Sequence, residues 1–263
     1  MVRKDYLWLN IRDLPYFRGL LRAVEARFYE DLPLPGPVLD IGCGDGHFAT
    51  VAFDQPLDVG IDPWWDPLQE ANRRSAYRLL IQSQGSHIPF PDAYFGSAIS
   101  NSVLEHIARL EPVLAETRRV LQPGAPFYFC VPNHQFLDSL SVGKILDRLG
   151  LRRLGDSYRT FFNRIARHLH CDDPQTWQRR LEQAGFVLSE WWHYYPPAAM
   201  QVSEWGHFFG LPALIAHKLT GRWILVPTRW NLGMTYALIK KHYLADPRSQ
   251  DGVCTFYIAH RMD

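Results

Sequence analysis

Two aspartates bracket a glycine-rich bend in the first quarter of the chain. The bend reads Val38-Leu39-Asp40-Ile41-Gly42-Cys43-Gly44-Asp45-Gly46, with glycines at alternate positions. Glycine tolerates positive φ and lets backbone come close to a ligand. Asp40 stands just ahead of the bend, where a carboxylate repels a phosphate and suits a cation such as an amino group. Asp62 follows 22 residues later, and a carboxylate there can accept hydrogen bonds from both hydroxyls of a ribose. Taken singly, the bend is also a plain tight turn and Asp62 also a helix cap. Their order and distance together favour a nucleoside-type ligand. The spacing is GxGxG, not the GxGxxG dinucleotide fingerprint, and it lacks the Gly-Lys-Ser/Thr ending of a Walker A loop.

Such a bend binds ligand when it joins a parallel strand to a helix at the carboxyl edge of a sheet. The surrounding pattern supplies that setting. Short apolar runs at 38–41, 57–61, 77–81, 96–100 and 127–131 read as strands. Helices are expected at 47–53, 69–74 and 112–121, the last stopped by Pro123-Gly124. Before the first strand, Phe17, Leu20, Leu21, Val24 and Phe28 recur at helical spacing within 14–30. After Pro132 the pattern loosens. Helices are expected at 138–154 and 174–184, strands at 186–190 and 253–259. Strands alternating with helices imply a parallel sheet wound by right-handed crossovers.

With these elements in place, the chain resembles the class I S-adenosylmethionine (SAM) dependent methyltransferases, in particular the ubiquinone/menaquinone and small-molecule group. Four blocks are similar and in order: VLDIGCGDG, VGIDP at 59–63, IPFPDAYFGSAISNSVLEHI at 88–107 and RRVLQPGAPFYFCVP at 118–132. They fall within 38–132, a little over a third of the chain. The resemblance implies a doubly wound, seven-stranded, mostly parallel Rossmann-like sheet. It implies that Gly42, Gly44 and Gly46 line the methionine and ribose part of SAM. Asp40 would hold the amino group through water, Asp62 the ribose hydroxyls, and Pro63 would lie beside the adenine. Asn101 would face the methionine end. The family usually places Asp where Gln84 stands here; a Gln amide can still accept from the adenine amino group, with Ser86 assisting. The family's Phe-Asp on the fourth strand is Phe95-Gly96 here.

Methyl transfer from a sulfonium has a good leaving group, so positioning supplies most of the acceleration. A base is needed only where the acceptor must lose a proton. Glu105 and His106, just past the fourth strand, are the candidates. In related quinone O-methyltransferases a Glu-x-x-Glu-His run goes with metal binding; here the first Glu is Ser102, so no metal is expected. The run His168-Leu169-His170-Cys171-Asp172-Asp173 reads as a wall on the substrate side, as a metal site, or as a loop whose Asp173 caps the next helix.

Among the 263 residues 47% are hydrophobic and 21% charged, the balance of a folded globular protein. A net charge of +1 gives no global field toward nucleic acid or toward an anionic bilayer, and no nucleic-acid partner is expected. Cys43, Cys130, Cys171 and Cys254 are scattered, without a CxxC pair, so neither a zinc knuckle nor a disulfide framework is implied. The opening MVRKDYLWLN lacks a signal-peptide run. A cytoplasmic setting is expected. Prolines break the uncharged stretch at 120–137, which excludes a spanning helix. The expected organisation is a SAM-binding core over 1–190, an aromatic-rich insertion over 191–250 and a final core strand over 251–263. The insertion reads as a cover on the sheet, as an apolar pocket, or as a patch for peripheral membrane contact near Lys240, Lys241 and Arg248. The expected function is methyl transfer from SAM to a small-molecule or lipid-like acceptor. The alternatives are a non-catalytic SAM-binding protein or an NAD(P)-dependent oxidoreductase.

Overall fold

The computed structural model describes residues 4–263, the side chain of Leu211 excepted. Seven strands form one sheet: β1 (Val38–Ile41), β2 (Leu57–Asp62), β3 (Tyr77–Gln82), β4 (Ser97–Asn101), β5 (Pro126–Pro132), β6 (Phe186–Tyr194) and β7 (Cys254–Arg261). Their order is β3-β2-β1-β4-β5-β7-β6, with β7 antiparallel to both of its neighbours. The mostly parallel, doubly wound sheet expected from the sequence is therefore present.

Parallel strands are buried on both faces, and the side chains sort accordingly. Val38, Tyr128 and Cys130 join one core with helices α1 (Tyr6–Ile11), α2 (Tyr16–Phe28) and α3 (His47–Ala52). Leu39, Ile41, Phe127 and Phe129 join the other core with α5 (Leu110–Val120) and α8 (Pro174–Gln183). Chain direction across the sheet reverses between β1 and β4, which are neighbours. α/β sheets bind ligands in the crevice at that reversal, outside the carboxyl ends of the strands. The glycine bend leaves β1 there, and Asn101 and Ser102 leave β4 there.

The helix expected within 14–30 is present as α2, and the short α1 ahead of it was not expected. Three expectations need correction. The helix expected at 69–74 begins one turn earlier, as α4 (Trp65–Arg73). The helix expected over 138–154 is broken at Gly150, at φ +77°, into α6 (Ser141–Arg148) and α7 (Arg152–Ala166). The strand expected to end at residue 190 runs on to Tyr194, because Trp191–Tyr194 pair with β7. The aromatic section that follows has no repeat in sequence yet is helical: α9 (Pro197–Phe209), α10 (Leu211–Thr220) and α11 (Arg229–Leu244). Ring side chains at irregular spacing hid three helices whose apolar residues lie on more than one face.

Candidate active site

The three glycines of the bend all take positive φ, +78°, +54° and +70°, but for different reasons. A Cβ on Gly42 would fall 2.4 Å from the Val103 side chain, and one on Gly46 3.0 Å from Ala71 and Ala76. These two are glycines so that the loop can pack. A Cβ on Gly44 would meet nothing within 4 Å. Gly44 therefore presents bare backbone to open space, as close approach of a ligand requires. The bend is held from β2: the Ile61 carbonyl accepts from Gly42 and Cys43 N–H at 2.9 and 3.0 Å.

Asp62, at the end of β2, accepts from Gly44 N–H at 3.0 Å and from Trp64 N–H at 2.9 Å, one bond on each oxygen. Each oxygen keeps a further lone pair. Pro63 is exposed beside it, and Trp64 and Trp65 stand 71% and 57% exposed at the same rim. Sequence reading missed these two rings, although Trp-Trp directly after Asp-Pro was a visible signal. Ser83 N–H donates to the Asp62 carbonyl at 3.1 Å, which brings the segment of Gln84 and Ser86 to the rim. Neither Gln84 nor Ser86 makes a side-chain hydrogen bond to a described residue. Asp40 is buried and accepts from the Tyr77 hydroxyl at 2.6 Å. Burial pushes its pKa up to about 7 against that bond, and Asp62 adds to the rise. A carboxylate held in that state gains from a nearby cation.

Asn101 is engaged inward. Its amide donates to Glu25 at 2.7 Å and its oxygen accepts from Cys130 at 3.1 Å. Glu25, on α2, is fully buried and also accepts from Arg22 at 2.7 Å, Ser102 at 3.1 Å and Tyr194 at 2.8 Å. This carboxylate ties α2, β4 and β6 together below the crevice. Within an amphipathic helix it looked like any solvated glutamate. Ser102 sits at φ +54°, a left-handed conformation uncommon outside glycine.

A cavity of about 1100 Å³ opens beside the bend, between α2, the residues after β4, α7 and α9. Phe17, Leu21, Phe136 and Met200 are among its apolar walls; Arg18, Arg164 and Arg167 bring positive charge. Burial lowers the pKa of Arg18, and the Asp45 carboxylate of the glycine bend works against that. Arg18 thus stands near the bend as well as in the cavity, a role the sequence did not suggest.

Glu105 and His106 lie in a one-turn helix, Leu104–His106, on the cavity wall. Glu105 is 2% exposed and burial pushes its pKa up to about 8. His106 Nδ1 lies 3.0 Å from the Arg167 carbonyl. A carbonyl only accepts, so Nδ1 carries the proton and Nε2 keeps its lone pair. Nε2 lies 3.7 Å from Glu105 Oε1, and burial lowers the His106 pKa. The histidine-rich run docks on the same place: Leu169 and His170 N–H donate to the Glu105 carbonyl at 2.8 and 3.3 Å. Asp173 caps α8 through Thr176 N–H at 2.7 Å, as the loop reading expected, and His168 lines the cavity. Burial brings the His168 pKa down to about 3. Ligand atoms of Glu105, His106 and His168 lie within 4.8 Å of one another, a set that could take up a proton or a divalent ion.

Residues 39–129 match the model of the methyltransferase domain family. Over 173 residues the chain is 30% identical to a ubiquinone/menaquinone biosynthesis C-methyltransferase of Ralstonia pickettii, covering 59% of this chain and 69% of that one. Among solved structures, a SAM-dependent methyltransferase of Thermotoga maritima shares the fold with a TM-score of 0.57 at 13% identity, over 94% of this chain and 91% of that one. Geranyl diphosphate C-methyltransferase of Streptomyces coelicolor, solved with Mg2+, geranyl diphosphate and S-adenosyl-L-homocysteine, gives 0.56 at 16% identity, over 94% and 84%. The crevice at the strand reversal, the bare Gly44 and the extent of the match to the Ralstonia enzyme converge: this chain belongs to the class I SAM-dependent methyltransferase superfamily.

Proposed function

We propose that the protein moves a methyl group from SAM to a small-molecule acceptor that combines an apolar body with an anionic group. The observation that carries this reading is the open backbone at Gly44, near a cavity with apolar walls and four arginines, of which Arg22 is paired with Glu25. Gly44 and Asp62 contact the nucleoside, and Pro63, Trp64, Gln84 and Ser86 flank its base. Asp40 answers the amino group, while Gly42 and Gly46 keep the bend in shape. Asn101 acts through Glu25 on the floor of the methionine end. The relatives lend support in their names: one belongs to quinone biosynthesis, and another is named for geranyl diphosphate, an apolar chain with an anionic head.

Transfer is an in-line displacement, so holding sulfonium and acceptor in line is the main task. Where the acceptor loses a proton, His106 Nε2 receives it, and the cation formed 3.7 Å from Glu105 Oε1 favours the ionised carboxylate, which then steadies the imidazolium. Incubation with methyl-labelled SAM and fractionated small-molecule and lipid extract tests the reading. One labelled product of low mass is expected. Tight SAM binding without any labelled product would instead support the non-catalytic alternative, and binding of NADH in place of SAM the oxidoreductase. Glu105→Gln and His106→Gln should each slow transfer by roughly 10²-fold or more if a base is used. A second reading, a divalent ion on Glu105, His106 and His168, draws on Glu105 Oε2 and His168 Nδ1, buried without a hydrogen-bond partner among the described residues. Transfer that survives chelation favours the proton over the ion.

A further inference from the structure

Helix α11 carries two apolar stripes on opposite sides. Leu232, Ile239 and Tyr243 are buried, with Tyr236 partly so, at i, i+4, i+7 and i+11 spacing. They pack the helix on α1 and α2. Trp230, Met234 and Leu238 make the second stripe at i, i+4 and i+8, and they are 91%, 77% and 63% exposed. A helix apolar all round belongs in a core or against a membrane, and this one has only half of a core. Helix α10 before it has no buried residue among those described, and shows Leu214, Ile215 and Leu219 to solvent. Leu225 and Val226, in the loop between the two helices, are exposed as well. Contiguous apolar surface on this scale marks an interaction site.

Charge identifies the partner. From residue 205 to residue 244 there is no Asp or Glu, while Lys218, Arg222, Arg229, Lys240 and Lys241 all fall within it. The rest of the chain then holds 23 basic residues against 27 acidic ones. The near-neutral total hides a molecule with a cationic end. Of the five cations, Arg229 is engaged by Asp5 at 3.7 Å. Large apolar side chains interleaved with lysine and arginine suit the interface of an anionic bilayer, where the chains enter the acyl boundary and the cations meet the headgroups. A second copy of the chain fits poorly, because pairing this face with itself would oppose like charges. No helix among the described residues is long and apolar enough to cross a membrane, so attachment is to the surface.

We propose that α10, the loop at 221–228 and the outer face of α11 dock the enzyme on an anionic lipid surface. The docking face continues into the acceptor cavity: α9, which precedes it, contributes Met200, Ser203 and His207 to the cavity wall. Trp223 in the docking loop packs under Arg18, 5.5 Å from its guanidinium. An acceptor partitioned in the bilayer would therefore enter from the attached side. The inference extends the apolar-acceptor reading, but its test needs neither SAM nor acceptor.

The test is sedimentation of the full chain with vesicles of phosphatidylcholine alone and of phosphatidylcholine with phosphatidylglycerol. Binding is expected only to the second, weakening as salt rises. The combined Trp230→Ser, Met234→Ser and Leu238→Ser variant should lose about tenfold or more in vesicle affinity, and Lys218→Glu with Lys241→Glu should do the same. Both should keep the parent's circular dichroism spectrum and cooperative melting, which shows that they remain folded. The proposal is overturned if the parent stays in the supernatant, or if both variants bind vesicles undiminished. It is equally overturned if light scattering finds a dimer that the serine variant splits, since the face would then belong to a second copy. Loss of SAM binding with vesicle binding intact would strike the functional reading and leave this one standing.

Discussion

Gly44 differs from its two neighbours in what lies in front of it, and that difference can be measured. In Gly44→Ala the new methyl enters open space, so the cost to stability is about 1 kcal/mol from the left-handed backbone alone. The same methyl would intrude on the nucleoside in the proposed site, so SAM affinity measured by calorimetry should fall by roughly tenfold or more. Gly42→Ala should do the reverse, unsettling the fold through Val103 before it touches the ligand. Equal SAM affinity in Gly44→Ala and parent would remove the bend from the binding site. Asp40 adds a protonic signature. Burial holds its pKa up at about 7, and a bound cation favours the ionised form. SAM binding near pH 6 should therefore release a proton, seen as a dependence of binding enthalpy on the buffer's ionisation heat. Asp40→Asn should abolish that dependence.

At the scale of elements, the joint between α2, β4 and β6 rests on Glu25. It is a buried carboxylate whose donors include the charged Arg22. Removing Glu25 leaves Arg22, 24% exposed, without its partner and the Asn101 and Tyr194 donors without their acceptor, at a cost of about 3 kcal/mol. Glu25→Leu should lower the unfolding free energy in urea by that much, and Tyr194→Phe, which removes one neutral donor, by about 1 kcal/mol. Because Asn101 and Ser102 are held by the same carboxylate, Glu25→Gln should also weaken SAM binding without touching the ligand. A Glu25→Leu protein as stable as the parent would show that this joint contributes little.

For the molecule as a whole, two buried carboxylates set the pH response. Burial raises Asp40 to about 7 and Glu105 to about 8 in the folded chain, whereas unfolding returns both to the ordinary carboxylate range. Between those limits the native state binds more protons than the unfolded state, so stability falls as pH rises. Below about pH 7 the buried, neutral His106 and His168 work the other way, so the ligand-free protein should melt at progressively lower temperature from about pH 7 to about pH 9. Glu105→Gln should flatten the upper part of that slope, and saturating SAM should flatten the part due to Asp40. A melting temperature that climbs over this range would contradict the buried, protonated state of both groups.

What the sequence determined by itself is local. Strand, bend and helix around Gly42, Gly44 and Gly46 were legible because backbone conformation there depends on residue type over a few positions. The alternation of elements was legible because burial repeats with the period of each element. Asp62 and Pro63 came with the bend for the same reason. Tertiary structure alone decided which glycine is free, since that depends on Val103, Ala71 and Ala76 arriving from elsewhere. It decided that Glu25 is a buried anchor, because its donors come from β4 and β6. It brought His168 to Glu105 across more than sixty residues. It also separated the two stripes of α11, since a sequence that is apolar on both faces cannot say which one the core will take.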